Sequence, residues 1–302
     1  MEKHDKKIHG FEDIPLSTRV ALGTVAGMTA TTILHPLDLA KVRMQVCDHP
    51  GSTLNVIRHV GRCEGYGSLY TGLSAALLRQ ATYTSTRLAV FYFLYDEYRR
   101  KYCKAPCLNE KIIMGMYAGL AGAFIGNPSE VALVRLMADG PRYCCYYYCR
   151  PYTGTFDAIC KIIRYESISG LWRGGVLTSG RSLIVTAAQI GSYAKTRRAL
   201  QENKVAKGLE LHFYTSMISS FIAAVISLPI DHIKTRYQVR SDCVTQKEIL
   251  ADTRRNRGIF GLWRGFTPYY LRMAFHTFIT FYLLEQFFEM YQKWEEHERK
   301  LR

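Results

Sequence analysis

The chain has 302 residues, enough for two ordinary soluble domains or one bundle of membrane spans, and 40 Lys plus Arg against 25 Asp plus Glu give a net charge of +15. Such a balance favours an anionic partner, whether nucleic acid, an acidic lipid surface or a negatively charged solute. Nine scattered cysteines are a poor basis for a disulfide framework and fit a reducing or redox-neutral setting; the cluster of Cys144, Cys145 and Cys149 lacks nearby histidines, so no metal is expected.

The start, residues 1–10, mixes Glu2 and Asp5 with Lys3, Lys6 and Lys7, which is neither a signal peptide nor an acid-poor transit peptide. Any organellar address is therefore expected within the rest of the chain. Residues 20–37 then run without Asp, Glu, Lys or Arg, as do residues 112–129 and 211–230. Each is long enough to span a bilayer. Small residues recur in them at matching places, Gly23 and Gly27, Gly115 and Gly119, Ser216 and Ser220, a spacing that lets helix backbones approach closely in lipid.

A motif closes each of these stretches. Pro36, Pro128 and Pro229 are followed two residues later by Asp38, Glu130 and Asp231, and seven residues later by Arg43, Arg135 and Arg236. Five residues after the proline stand Lys41, Leu133 and Lys234, so the middle unit lacks a base there. A second landmark follows: Tyr70-Thr71-Gly72, Trp172-Arg173-Gly174 and Trp263-Arg264-Gly265, with Arg79, Arg181 and Arg272 seven residues beyond the glycines. One unit occurs three times, with expected boundaries 1–105, 106–205 and 206–302.

Between the paired spans lie basic, mildly amphipathic segments, 53–62, 156–165 and 247–257, which read as short helices along the membrane surface. The second apolar stretches, 73–95, 176–193 and 267–284, are interrupted by arginine. A cation in mid-membrane costs at least ~2.5 kcal/mol on insertion scales, so these arginines should face protein or a water-filled cavity. The expected fold is an all-α membrane protein of six transmembrane helices in three pseudo-threefold repeats, each with a surface helix between its spans. Basic runs at Arg99-Arg100-Lys101 and Arg197-Arg198 leave both faces positive, so charge bias gives no orientation.

Proline inside a spanning helix removes a backbone hydrogen bond and kinks it, so Pro36, Pro128 and Pro229 could let three helices converge. Acid and base three residues apart share a helix face. Arranged around a threefold axis, the motif charges would close a pore as a breakable ring. Seven residues of α-helix rise about 10 Å in nearly two turns, so Arg79, Arg181 and Arg272 should share one depth. Arg87 lies eight residues beyond Arg79 with Tyr83 halfway; Gln189 and His276 occupy the plus-eight and plus-four places of the other units. Together with Gln80 these make the candidate substrate residues, and arginine suits planar, bidentate recognition of carboxylate. One of the four arginines is expected only to pack or neutralise a helix end.

The proline motifs resemble those of the mitochondrial carrier family, and the resemblance spans essentially the whole chain. It implies a matrix-side gate in which each acid meets the base of the next unit, Glu130 with Lys234 and Asp231 with Lys41, braced by Gln45 and Gln238, whereas Met137 stands in the middle unit. Leu133 leaves Asp38 without its partner, so two bridges are expected. The family's outer-gate pattern matches poorly: Tyr95-Asp96-Glu97-Tyr98-Arg99 fits, but the second unit offers Tyr193, Ala194 and Arg197 without the acid. The sequences 72–83, 126–133 and 265–270 resemble the branch of the family that exchanges 2-oxoglutarate for malate. That likeness implies a dicarboxylate antiporter of the inner mitochondrial membrane, not an enzyme, without cofactor, working as a monomer. Cardiolipin is expected at the turns of Gly72, Gly174 and Gly265, where backbone amides and nearby bases can hold phosphate. The alternatives are a related carrier of phosphate, protons or other small anions, and a basic soluble nucleic-acid-binding protein. Three recurring charge-free stretches weigh against the latter, which would need a basic patch or stripe.

Overall fold

The computed structural model describes residues 14–46, 51–139, 152–202, 208–239 and 245–301; the cluster of Cys144, Cys145 and Cys149 and residues 1–10 fall outside them. The first unit forms α1 (Leu16–Val46), α2 (Thr53–Cys63), then α3 (Leu73–Arg79) and α4 (Ser85–Tyr102), joined by a π turn at Gln80–Thr84. The second forms α5 (Leu108–Ala138), α6 (Thr155–Glu166) and α7 (Gly175–Glu202), and the third α8 (Gly208–Val239), α9 (Gln246–Arg257) and α10 (Phe266–Leu301). Helices of 31 residues rise about 46 Å, more than the ~30 Å hydrocarbon core requires.

The rods close into a ring. α1 packs on α4, α4 on α5, α5 on α7, α7 on α8, α8 on α10, and α10 returns to α1. α1, α5 and α8 also touch one another, so the odd spans converge while the even spans stand between them. Among the described residues, Leu16–Val46 and Phe213–Val239 are the helices long and apolar enough to cross a membrane by length and composition alone. The even spans α4, α7 and α10 carry polar residues that line the cavity, such as Arg87, Arg181, Gln189 and Arg272, and these lower their average hydropathy.

Small residues set the approach of the rods. A Cβ on Gly119 would lie 2.6 Å from Ser182 Oγ on α7, and one on Gly23 would lie 2.6 Å from Leu88 Cδ1 on α4. Ser216 and Ser220 are fully buried on α8. Two turns further along α5, a Cβ at Gly126 would meet the Tyr83 Cβ at 2.6 Å, so α5 packs its backbone against the π turn.

Pro36, Pro128 and Pro229 lie inside single continuous helices. Each proline lacks the N–H that would bond the carbonyl four residues earlier. The landmark tryptophans supply the missing donor: Trp172 Nε1 donates to the Phe124 carbonyl at 3.2 Å and Trp263 Nε1 to the Val225 carbonyl at 3.1 Å. In the first unit Tyr70 holds the corresponding place and stacks on His35, 6.0 Å between ring centres.

The landmark glycines open the even spans. Gly72, Gly174 and Gly265 have φ of 82°, 77° and 83°, left-handed values that favour glycine, and their carbonyls accept from Ala76, Thr178 and Tyr269. Each also abuts the residue nine places after a proline in the next unit around the ring. A Cβ on Gly72 would lie 3.6 Å from Met137 Cγ, on Gly174 3.2 Å from Gln238 Cγ, and on Gly265 3.7 Å from Gln45 Cγ.

Candidate substrate cavity and charge ring

The ring of helices encloses a cavity of about 720 Å³. Among the described residues its wall carries Arg79, Arg87, Lys111, Arg181, Arg198 and Arg272, but a single acid, Glu130. Below it a gap of about 60 Å³ is lined by the motif residues Asp38, Lys41, Glu130, Asp231 and Lys234. Arg79, Arg181 and Arg272 line both spaces, which puts all three at the floor of the cavity, where it meets the motif charges.

At this floor the odd spans are tied together by ion pairs. Lys234 Nζ lies 2.6 Å from Glu130 Oε1, and Lys41 pairs with Asp231. Asp38 is not left unpaired. Arg272 Nε lies 2.5 Å from its Oδ1, so a cavity arginine takes the place that Leu133 vacates. The lack of a motif base opposite Asp38 gave no sign of this partner, because spacing along one helix reports depth, not which neighbour reaches across. Arg181 likewise reaches Asp231 at 2.8 Å. Tyr269, fully buried, joins these charges: its hydroxyl accepts from Arg181 at 3.1 Å and lies 2.8 Å from Ser227 Oγ, while Lys41 Nζ sits 4.2 Å from its ring centre.

Gln45 and Gln238 are fully buried beneath these pairs, but the Gln45 side-chain amide has no hydrogen-bond partner among the described residues and Gln238 donates to the Arg173 carbonyl at 3.4 Å. Neither bonds to an ion pair. Both instead fill the space under Gly265 and Gly174.

Also at the floor, Arg79 lies 5.8 Å from the Tyr83 ring centre, and neither Arg79 nor Arg87 makes an ion pair among the described residues. The π turn affects their alignment. It absorbs one extra residue, so the eight-residue gap behaves like about seven α-helical steps, roughly 700° of rotation instead of 800°. Both arginines therefore face the same space. The Tyr83 hydroxyl lies 3.2 Å from Ser182 Oγ, and Gln189 donates to Thr277 Oγ1 at 3.1 Å.

Gln80 is 3% exposed and spends its amide on Thr31 Oγ1 at 2.5 Å and the Gly27 carbonyl at 3.2 Å, with His276 Nε2 also 3.2 Å away. Gln80, Thr31 and His276 thus knit α1, the π turn and α10 together. Gln80 is a lining residue whose amide is spent on supporting its neighbours in the wall.

The final base of each motif has a structural role that the sequence reading left unassigned. Arg43 holds Glu64 through two bonds of 2.8 and 2.9 Å, and Arg135 holds Glu166 through two of 2.7 Å. Each also donates from Nε to the next unit: Arg43 to the Met137 carbonyl, Arg135 to that of Gln238, and Arg236 to that of Gln45. The repeated base seven residues after proline was the signal for this lock. At the opposite end Arg19 pairs with Asp96, and the Tyr98 hydroxyl donates to Glu110 at 2.5 Å. Outside the spans, the hydrogen bond from Lys161 and that from the Thr153 amide hold the Asp157 carboxyl below its ordinary range.

Comparison with known proteins agrees with this arrangement. The family described as "Mitochondrial carrier protein" matches residues 12–103, 108–204 and 208–294. The chain is 39% identical over 285 residues to the mitochondrial 2-oxoglutarate/malate carrier protein of Caenorhabditis elegans, covering 90% of this chain and 92% of that one. It is 38% identical to the Bos taurus protein of the same name, covering 92% of each. Mitochondrial uncoupling protein 4 of Arabidopsis thaliana is 34% identical, over 87% of this chain and 95% of that one. The chain belongs to the mitochondrial carrier family and is a multi-pass transporter of the inner mitochondrial membrane.

Proposed function

We propose that the chain exchanges one small dicarboxylate for another, 2-oxoglutarate for malate or a close analogue, by alternating access. The observation that carries this reading is the cavity itself: about 720 Å³, walled among the described residues by six cations and one acid, and floored by ion pairs that tie α5 to α8, α8 to α1 and α1 to α10. A volume of that order suits a small-molecule site. Arg79, Arg87, Arg181 and Arg272 would hold the two carboxylates, with Tyr83, Gln189 and His276 completing the wall and Gln80 positioning His276. The ring of Asp38, Lys41, Glu130, Asp231 and Lys234 would be the matrix gate, opened once per cycle, with Gln45 and Gln238 packing beneath it. No covalent step or cofactor is needed.

The reading extends to cardiolipin at the turns of Gly72, Gly174 and Gly265, and to a single chain as the working unit, since one chain encloses its own pathway. The test is counter-exchange after reconstitution into liposomes, with a panel of labelled anions inside and out. Exchange of 2-oxoglutarate against malate is expected; uptake without a counter-anion, or no dicarboxylate flux, refutes it. The likeness to an uncoupling protein favours a second reading, transport of phosphate, protons or other small anions. Proton flux without dicarboxylate exchange in the same liposomes would support that one.

A further inference from the structure

The three acids of the ring do not have equivalent partners. Glu130 is held by Lys234, a motif base, and Asp231 by Lys41 together with Arg181. Asp38 has only Arg272 among the described residues, and Arg272 belongs to the cavity wall. The Asp38 and Arg272 side chains are 11% and 16% exposed, so the pair is largely shielded from water but open to the cavity above. Leu133, where the missing base would stand, lines the same gap and offers nothing to Asp38.

We infer that Asp38 is an internal stand-in for a substrate carboxylate: it occupies Arg272 in the empty carrier, and a bound anion displaces it. This deepens the dicarboxylate reading and rests on it only for the identity of the anion. The contact is an ion pair without hydrogen-bond geometry at Nε, and the physical ground is electrostatic: a guanidinium neutralised at contact by Asp38 attracts a second carboxylate less than a free one does. A substrate anion that takes Arg272 leaves Asp38 buried without its contact ion pair, with Arg79 acting on it only from a greater distance. A buried unpaired charge is costly, so Asp38 is driven out of the closed arrangement and the α1 corner of the ring loosens. Binding and gate release become one exchange of partners. The other two acids keep a motif lysine whatever the cavity holds, which makes Asp38 the first member of the ring to let go.

Competition has a direct consequence for affinity. The binding-competent fraction of empty carriers is limited by the share in which Arg272 is already occupied, and apparent affinity falls by that fraction. Removing the internal competitor therefore strengthens anion binding.

The experiment uses the purified full chain in detergent, with equilibrium binding of labelled 2-oxoglutarate and, separately, of inorganic phosphate. Asp38→Asn is expected to lower the dissociation constant about fivefold or more, and Arg272→Gln to raise it. Asp38→Asn in the Arg272→Gln background brings no gain. Lys234→Met weakens the same ring without freeing an arginine and is expected not to tighten binding. A melting-temperature cycle on Asp38 and Arg272 needs no ligand, and the two losses are expected to be clearly less than additive. Unchanged or weaker binding of both probes by Asp38→Asn, equal tightening by Lys234→Met, or additive melting shifts overturns the inference. Tightening seen for phosphate alone would uphold the latch and refute the dicarboxylate reading.

Discussion

Trp172 Nε1 lies 3.2 Å from the carbonyl oxygen of Phe124, the acceptor that Pro128 leaves open by lacking an N–H. Trp263 does the same for Val225, four residues before Pro229. Proline and tryptophan landmarks are therefore two halves of one device, one opening a carbonyl and the other closing it. Trp172→Phe and Trp263→Phe keep most of the ring contact but remove the donor, and an unmet carbonyl at a helix surface facing lipid costs about 1–3 kcal/mol. Each variant is expected to melt several degrees lower in detergent. Unshifted melting in both would show that other donors meet these carbonyls.

The second prediction contrasts buried and exposed ion pairs. Arg43 and Glu64 have side chains 1% and 5% exposed and are joined by two bonds, whereas Lys161 and Asp157 are 36% and 30% exposed. Breaking a buried pair strands a charge and costs roughly 3–5 kcal/mol. Glu64→Ala is thus expected to cause a large loss of thermal stability and to detach α2 from α1. Asp157→Ala, on solvated α6, is expected to leave the melting temperature nearly unchanged. Comparable shifts in the two would refute the assignment of the final motif base as the lock of each unit.

Much of the architecture is legible in the sequence because periodic landmarks encode it. Charge-free runs, prolines and glycines in threefold register define the spans and the left-handed turns at Gly72, Gly174 and Gly265. The candidate site is legible only in part. Spacing puts Arg79, Arg181 and Arg272 at one level but cannot say that Arg272 turns to Asp38 or Arg181 to Asp231, since those partners lie on other helices. The π turn at Gln80–Thr84 leaves no mark in hydrophobic period, yet it rotates Arg87 and sits where Gln80 is buried. Tyr269, the aromatic against the ring, reads in sequence as one apolar residue in a run of them.

Glycine substitutions probe the contact between α5 and the π turn. A Cβ at Gly126 would lie 2.6 Å from Tyr83 Cβ and 3.1 Å from its Cα, so Gly126→Ala must push the π turn away. Overpacking of this kind costs typically ~1–3 kcal/mol and here moves Arg79 and Tyr83 together. Gly180 on α7 has nothing within 4 Å of its added Cβ, and alanine is the better helix former by about 1 kcal/mol. Gly126→Ala is therefore expected to lower both stability and exchange rate, and Gly180→Ala to be neutral or stabilising. Normal exchange by Gly126→Ala would mean that the Tyr83 backbone does not set the cavity geometry.

Leu133→Lys tests the asymmetry of the ring. Leu133 is 7% exposed, packs in an apolar cluster with Leu39, Ala76 and Leu136, and lines the gap that also holds Asp38. A lysine there keeps much of that packing with its aliphatic stem and directs its ammonium toward the gap. Because Asp38 already holds Arg272, the new base competes for it and does not fill a vacancy. A partly desolvated pair gains roughly 1 kcal/mol or less once burial of the ammonium is counted, and lost leucine contacts offset it. Melting is thus expected to change little, while two kinetic effects move in set directions. Release of Arg272 into the cavity should lower KM for the dicarboxylate. The maximal exchange rate should also fall, because a bridge from Lys to Asp38 gives substrate no arginine to take over and the gate must open against it. Adding Asp38→Asn should remove the rate penalty and bring no further fall in KM. An unchanged KM and rate in Leu133→Lys, or a penalty that survives Asp38→Asn, would mean that residue 133 and Asp38 do not meet across the units.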